Sequence, residues 1–256
     1  MPKVLNRGQL AIIGMICMIF QHVYSMWLFQ GAPQWLNMVG HLSLPIFLFL
    51  GSEVYFHSQN RLGLLKGVII SYWVMSVINY ALPKLLINPT VLMFNNLFGT
   101  FLLSGLLMLI FDSFQSENKK APMKGFTILA GLTVYSFVLN LLIMSESTRK
   151  FGLFLYYAFP SFQTVEGGVY AVILGVLFYV FRKNLPMIAI VLGVISLVTI
   201  QFDLSQLING STSWMMFLAI IPIGLYNDEP GKNLLSFFYI FYPAHIVILY
   251  ILATIF

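Results

Sequence analysis

Residues 236–256 read SFFYIFYPAHIVILYILATIF, twenty-one positions without a formal charge and with one imidazole near the middle. A run of this length and apolarity matches the roughly 20 residues needed to cross a hydrocarbon core of about 30 Å. Polar groups inside such a run are costly, so Pro243 and His245 ask for a reason. The rest of the chain repeats the pattern. Of 256 residues, 59% are hydrophobic and 8% charged, with a mean hydropathy of +0.90. Soluble domains carry roughly 25% charged residues, so too little polar surface exists to coat a water-soluble globule. The composition predicts an all-α polytopic membrane protein forming one integral domain over 1–256.

The punctuation between apolar runs is physical. QGAPQWLN (30–37), LPKLLINPT (82–90), DSFQSENKKAP (112–122), RKNLP (182–186) and NDEPGKN (227–233) combine Pro, Gly, Asn and charge, which end helices and prefer water. They predict nine spans at about 9–29, 39–57, 63–82, 96–113, 124–144, 167–181, 186–202, 213–226 and 234–255. KFGLFLYYAFPSFQ (150–163) is apolar and aromatic but short, and reads as an interfacial or re-entrant helix. With the N-terminus inside, ten Lys and Arg fall on the cytoplasmic side and only Lys84, Arg149 and Lys150 on the other. The positive-inside rule then predicts a cytoplasmic N-terminus, an external C-terminus, and a multi-pass protein of the cell membrane.

The net charge of +5 and pI near 9.3 arise from those loops, with no basic stripe interleaved with aromatics, so nucleic acid is not an expected partner. Membrane lipid is; oligomeric state is not legible. Cys17, the single cysteine, has no internal disulfide partner, and four histidines on three predicted helices lack metal-ligand spacing, so no metal is expected. Walker, GxGxxG, HExxH, CxxC and GxSxG motifs are absent.

Polar residues collect in the outer halves of the predicted helices: Gln21, His22, His41, Asn95, Asn96, Asn140 and Glu166. His245, with Tyr242 beside it, lies near mid-depth. For the asparagines, wet helix ends explain the pattern equally well. A hydrogen-bonded core role remains open for His22, and a simple packing kink for Pro243. Pro243 removes one backbone donor, and such breaks persist where they line protein or water. Glu53, a turn before His57, requires a partner or water, and Arg61 is one candidate. Asp112 reads as an ordinary helix-end charge. Histidine, with an unperturbed pKa near 6.5, is the residue here suited to take and return protons.

Five stretches resemble the TraX family of membrane acetyltransferases, which resemble pilin acetylases. They are LAIIGMICMIFQHV (10–23), VGHLSLPIFLFLGSEVYFHSQNRLGLLKG (39–67), NNLFGTFLLSGLL (95–107), EGGVYAVILGVLFYVFRKN (166–184) and FFYIFYPAHIVILYIL (237–252). The Tyr-Pro-x-His ending is the most specific. Gln21 stands where the family typically has Asp, and His41 where it tends to have Arg. The resemblance implies transfer of acetyl from cytoplasmic acetyl-CoA to an amine or hydroxyl of an acceptor in the membrane or at its outer face, such as a protein N-terminus or an envelope glycan. It implies His22 as general base or transient acetyl carrier, with His245 donating to the thioester oxyanion. Glu166 would hold an acceptor amine or tune a histidine. Gln21, His41, Asn95, Asn96, Asn140 and Tyr242 would line the acceptor site, and Arg61, Lys66, Arg182 and Lys183 would hold the CoA phosphates. A transporter or flippase, and a structural subunit binding a partner helix, are the competing classes.

Overall fold

The computed structural model describes residues 3–88, 96–203, 205 and 210–255. Those residues are helical, with no strand beyond an isolated bridge between Leu5 and Tyr226. In order the helices are α1 (Arg7–Met26), α2 (Gln34–Gly40), α3 (Ser43–His57), α4 (Arg61–Leu85), α5 (Leu97–Phe114), α6 (Ala121–Met144), α7 (Arg149–Ala158), α8 (Gly168–Phe181), α9 (Leu185–Thr199), α10 (Ile220–Gly224) and α11 (Leu235–Ile255). A 3₁₀ turn at Leu28–Gln30 precedes α2, and a 3₁₀ segment at Ser213–Ala219 runs into α10.

Three of the helix starts are capped by asparagine. Asn6 closes a capping box with Gln9, Asn60 Oδ1 accepts the Gly63 N–H, and Asn184 Oδ1 accepts the Met187 N–H. Each satisfies a donor that the first helical turn leaves open.

Among the described residues, six segments are long and apolar enough to cross a membrane: α1, α2 with α3 (Gln34–His57), α4, α5, α6 and α11. The sixth, seventh and eighth predicted spans are shorter, at Gly168–Phe181, Leu185–Thr199 and Ser213–Gly224. At about 1.5 Å per residue, the 14 residues of α8 reach only about 21 Å. The loop before it packs into the bundle. There the Glu166 carbonyl accepts from Thr100 Oγ1 (2.8 Å) and its carboxylate from Tyr242 (3.1 Å), well below the far end of α11. The short interfacial segment is α7, held by Trp73 Nε1 donating to the Ala158 carbonyl and Tyr135 donating to those of Leu155 and Phe159.

Contacts sort the helix ends onto two faces. On one, the N–H groups of Val4 and Leu5 donate to the Leu225 carbonyl and Arg7 N–H to that of Glu229. On the same face Tyr226 reaches Glu53, and Arg61 pairs with Asp112. This face collects the starts of α1, α4 and α11 with the ends of α3, α5, α8 and α10. On the other, Gln21 donates to Asn37 and Asn37 to Thr212, and Tyr250 donates to the Leu86 carbonyl.

Lipid tails are as apolar as the side chains, so close packing rather than expulsion of water holds such helices together. Gly175 illustrates it: a Cβ there would fall 2.8 Å from Ser104 Oγ, so α5 and α8 approach only because the residue is small. By contrast α6 buries only Gly125, Leu132, Ser136 and Leu139, and exposes Phe126, Val134 and Phe137 as a lipid-type face.

Candidate active site

The centre of the bundle holds two imidazoles. His22 lies late in α1 and is 1% exposed; His245 lies midway along α11 and is 7% exposed. His245 Nε2 stands 3.0 Å from His22 Nδ1, and His245 Nδ1 2.8 Å from the Phe241 carbonyl. A carbonyl only accepts, so neutral His245 carries its proton on Nδ1 and accepts at Nε2. The donor in the 3.0 Å contact is then His22 Nδ1–H. That leaves His22 Nε2 as a bare lone pair, buried and without a hydrogen-bond partner among the described residues. Buried polar atoms are nearly always paired, and an unpaired basic nitrogen with a fixed tautomer is poised to take a proton. The arrangement is that of a general base held from behind by an acceptor, with a neutral imidazole in place of a carboxylate.

This geometry bears on the role expected for His245. Both of its nitrogens are engaged, one by Phe241 and one by His22, so it has no free N–H to offer an oxyanion. Its Nε2 is left to accept from His22 Nδ1–H.

Tyr242, fully buried one turn before His245, packs its ring 5.7 Å from that imidazole and 6.3 Å from His22. Its hydroxyl accepts the Leu97 N–H (3.0 Å) and donates to Glu166 Oε2 (3.1 Å). Glu166 is placed by the two glycines that follow it. Gly167 sits at φ +72°, and a Cβ there would meet Ala171 at 2.6 Å and Leu44 at 2.8 Å. Only glycine satisfies both the left-handed backbone and the close approach.

Toward the far face a second polar group forms. Gln21 Nε2 donates to Asn37 Oδ1 (3.1 Å), Asn37 Nδ2 donates to Thr212 Oγ1 (2.8 Å), and His41 Nε2 lies 3.1 Å from the same hydroxyl. Gln21 Oε1 is buried without a partner among the described residues. The group depends on Gly40, where a Cβ would fall 2.4 Å from Gln21 Oε1 and 2.7 Å from its Cα. Gln21 and His41, both expected at an acceptor site, thus share one network. Asn37 and Thr212 were missed, because they flank loops whose residues show no relation in sequence.

The remaining expected residues scatter. Asn96 is buried with Nδ2 donating to the Tyr72 carbonyl and Ser76, beside Leu97 and hence near Tyr242. Asn95 lies outside the described residues. Asn140 is exposed on α6, away from the histidines. Two of the four cations expected to hold phosphates, Arg61 and Arg182, come together around Tyr179. Arg61 is paired to Asp112 at 2.7 Å, and Arg182 stacks over the Phe56 ring at 3.4 Å, while Lys66 and Lys183 are exposed. Asp112 is no ordinary helix-end charge: it also accepts from Tyr179 (2.7 Å) and Tyr55 (3.3 Å), tying α3, α4, α5 and α8 together. Glu53 accordingly takes Tyr226 (3.4 Å) and His57 (3.8 Å) rather than Arg61.

A cavity opens instead between α1, α3, α4, α5 and α11, with about 980 Å³ of empty space including its open side. Arg7 and Lys232 line its charged end; Met15, Phe47, Phe98 and Phe238 line its inner end. Met15 and Phe238 each precede a site histidine by seven residues, two helical turns on the same face, so the cavity points at the pair from about 10 Å away. Among the described residues no group of three His, Cys, Asp or Glu could hold a metal.

Among the described residues, six membrane-length apolar segments, with a buried histidine pair on the first and last of them, define a multi-pass membrane protein. The family model described as "TraX protein" matches residues 6–253, nearly the whole chain. The chain belongs to the TraX family. No curated protein and no solved structure matches it.

Proposed function

We propose that this protein is a membrane-embedded acyltransferase that moves acetyl from acetyl-CoA on the cytoplasmic face to an amine or hydroxyl of an acceptor presented in the membrane or at its outer face. The observation that carries the reading is the unpaired Nε2 of His22, held in one tautomer by His245. Nine crossings with Arg7 and Lys232 on the cytoplasmic side agree with the distribution of Lys and Arg and with the sorting of helix ends onto two faces.

The acceptor N–H or O–H donates to His22 Nε2 and loses its proton as its nitrogen or oxygen attacks the thioester carbonyl. The imidazolium is steadied through Nδ1–H by His245 Nε2. When the tetrahedral centre collapses, the C–S bond breaks, the acetyl stays on the acceptor, and His22 returns the proton to the departing CoA thiolate. The imidazole pair thus ends the cycle in the state in which it began. Tyr242 and Glu166 hold the wall beside the reacting atoms. The cavity supplies the donor's approach, with Arg7 and Lys232 in place to meet phosphate and an apolar interior for the pantetheine arm.

The test is acetyl-CoA binding to the purified protein by calorimetry, together with CoA thiol release in membranes containing acceptor. Saturable binding weakened by Arg7→Ala/Lys232→Ala, and release lost in His22→Ala with binding kept, are the expected results. A folded sample that neither binds acetyl-CoA nor releases thiol overturns the reading and leaves the cavity to a transported solute.

A further inference from the structure

The cavity does not open onto the histidines. Phe98 and Phe238 stand at its inner end with ring centroids 6.0 Å apart, and both pack on Tyr242, at 5.1 Å and 5.9 Å. Phe47 and Phe101 back Phe238 at 4.7 Å and 6.2 Å, and Tyr239 stacks on Phe98 at 5.7 Å. Only behind this layer do Tyr242, His22 and His245 meet. We propose that Phe98 and Phe238 form an aromatic septum between the inner-face cavity and the His22–His245 pair, and that Phe238 is the residue that sets how far a ligand entering from that face can reach.

The elements of the septum are not equally fixed. Tyr242 is pinned by two hydrogen bonds through its hydroxyl, to Leu97 N–H and to Glu166. Phe98 follows Leu97 directly at the start of α5, next to that bonded backbone. Phe238 is held by packing alone and lines the cavity itself. It also lies on the Leu235–Tyr242 half of α11, separated from His245 by Pro243 inside the helix. Pro243 has no N–H for the Tyr239 carbonyl, so the two halves are joined by one hydrogen bond fewer at that level. The Phe238 turn at the cavity is thus coupled to His245 less tightly than in an unbroken helix, while Tyr242, held by Leu97 and Glu166, and the Phe241 carbonyl, which accepts from His245 Nδ1, stay with the histidine pair. A septum here also keeps the base from exchanging protons with the cytoplasmic side whenever the cavity is empty.

The donor role of the cavity rests on the acyltransferase reading; the septum does not. In a Cys17→Ala background, His22→Cys is placed behind the septum and labelled in inverted membrane vesicles with an anionic, membrane-impermeant methanethiosulfonate. Phe238→Ala is expected to raise the labelling rate at least tenfold over the parent, and CoA is expected to suppress the gain. Phe98→Leu, a milder change, provides a second opening should Phe238→Ala lose its monodisperse elution. Equal labelling of parent and septum variants that retain the fold overturns the septum. A gain that CoA leaves untouched supports the septum and counts against the cavity as the donor's path.

Discussion

Removing the His245 ring should cost less than removing His22, and the two losses should not add. His245 touches the reaction only through the 3.0 Å bond to His22 Nδ1. As His22 takes a proton this becomes a bond from a charged donor, worth about 1.5–3 kcal/mol. At about 1.36 kcal/mol per decade of rate, His245→Ala should slow transfer roughly ten- to 150-fold. His22→Ala removes the base itself and should cost about 10²- to 10⁴-fold. In the double variant there is no base left to orient, so its rate should match that of His22→Ala alone, as for groups that act as a unit. His245→Gln, whose carbonyl can accept from His22 Nδ1–H, should recover part of the loss. The assay is CoA thiol release from acetyl-CoA in membranes containing acceptor, normalised to folded protein by gel filtration. Two results would refute the reasoning: His245→Ala as damaging as His22→Ala, which would put His245 on the substrate, or a double variant with multiplied losses.

Gly40→Ala drives a Cβ into Gln21 and must separate α1 from α2; overpacking of this kind costs about 1–3 kcal/mol, visible as a lowered thermal unfolding midpoint, and an unchanged midpoint would contradict the contact. Gly167→Ala strains a φ of +72° and should displace Glu166, lowering the transfer rate more than the midpoint. Asp112→Ala strips Arg61, Tyr179 and Tyr55 of their acceptor and should destabilise by about 1–3 kcal/mol in the same melt, while Glu117→Ala in the exposed 115–120 turn should be neutral. In calorimetry, charge reversal at Arg7 or Lys232 should weaken CoA binding more than reversal at Lys66 or Lys183, which lie outside the cavity lining.

Much of the bundle was legible because apolar length is a local property. The asparagine, proline and charged turns fall where helices begin and end, and α7 appears as the short segment expected near 150–163. The sixth span shows the limit. Its brevity looks like a soft edge in sequence, yet the loop before it packs into the bundle, with Glu166 bonded to Tyr242 on a helix 76 positions away. The cations show a related limit. Arg61 and Arg182 sit on the expected face, but an aspartate and a phenyl ring claim them, and charge count along a chain does not register such partners. The residues at the cavity's charged end, Arg7 and Lys232, look in sequence like any other loop charge.

The sequence by itself determined that this chain is a helical membrane protein, where its helices break, and that His22 and His245 needed an explanation, because transfer of residues from water to lipid is decided run by run. Only the tertiary structure decided that the two histidines meet, which of them presents a bare nitrogen, and that an aromatic layer stands between them and the open cavity. Those facts depend on which faces of α1, α5 and α11 turn toward one another, and hydrogen-bond direction and ring contact exist only once residues 223 positions apart are brought within 3.0 Å.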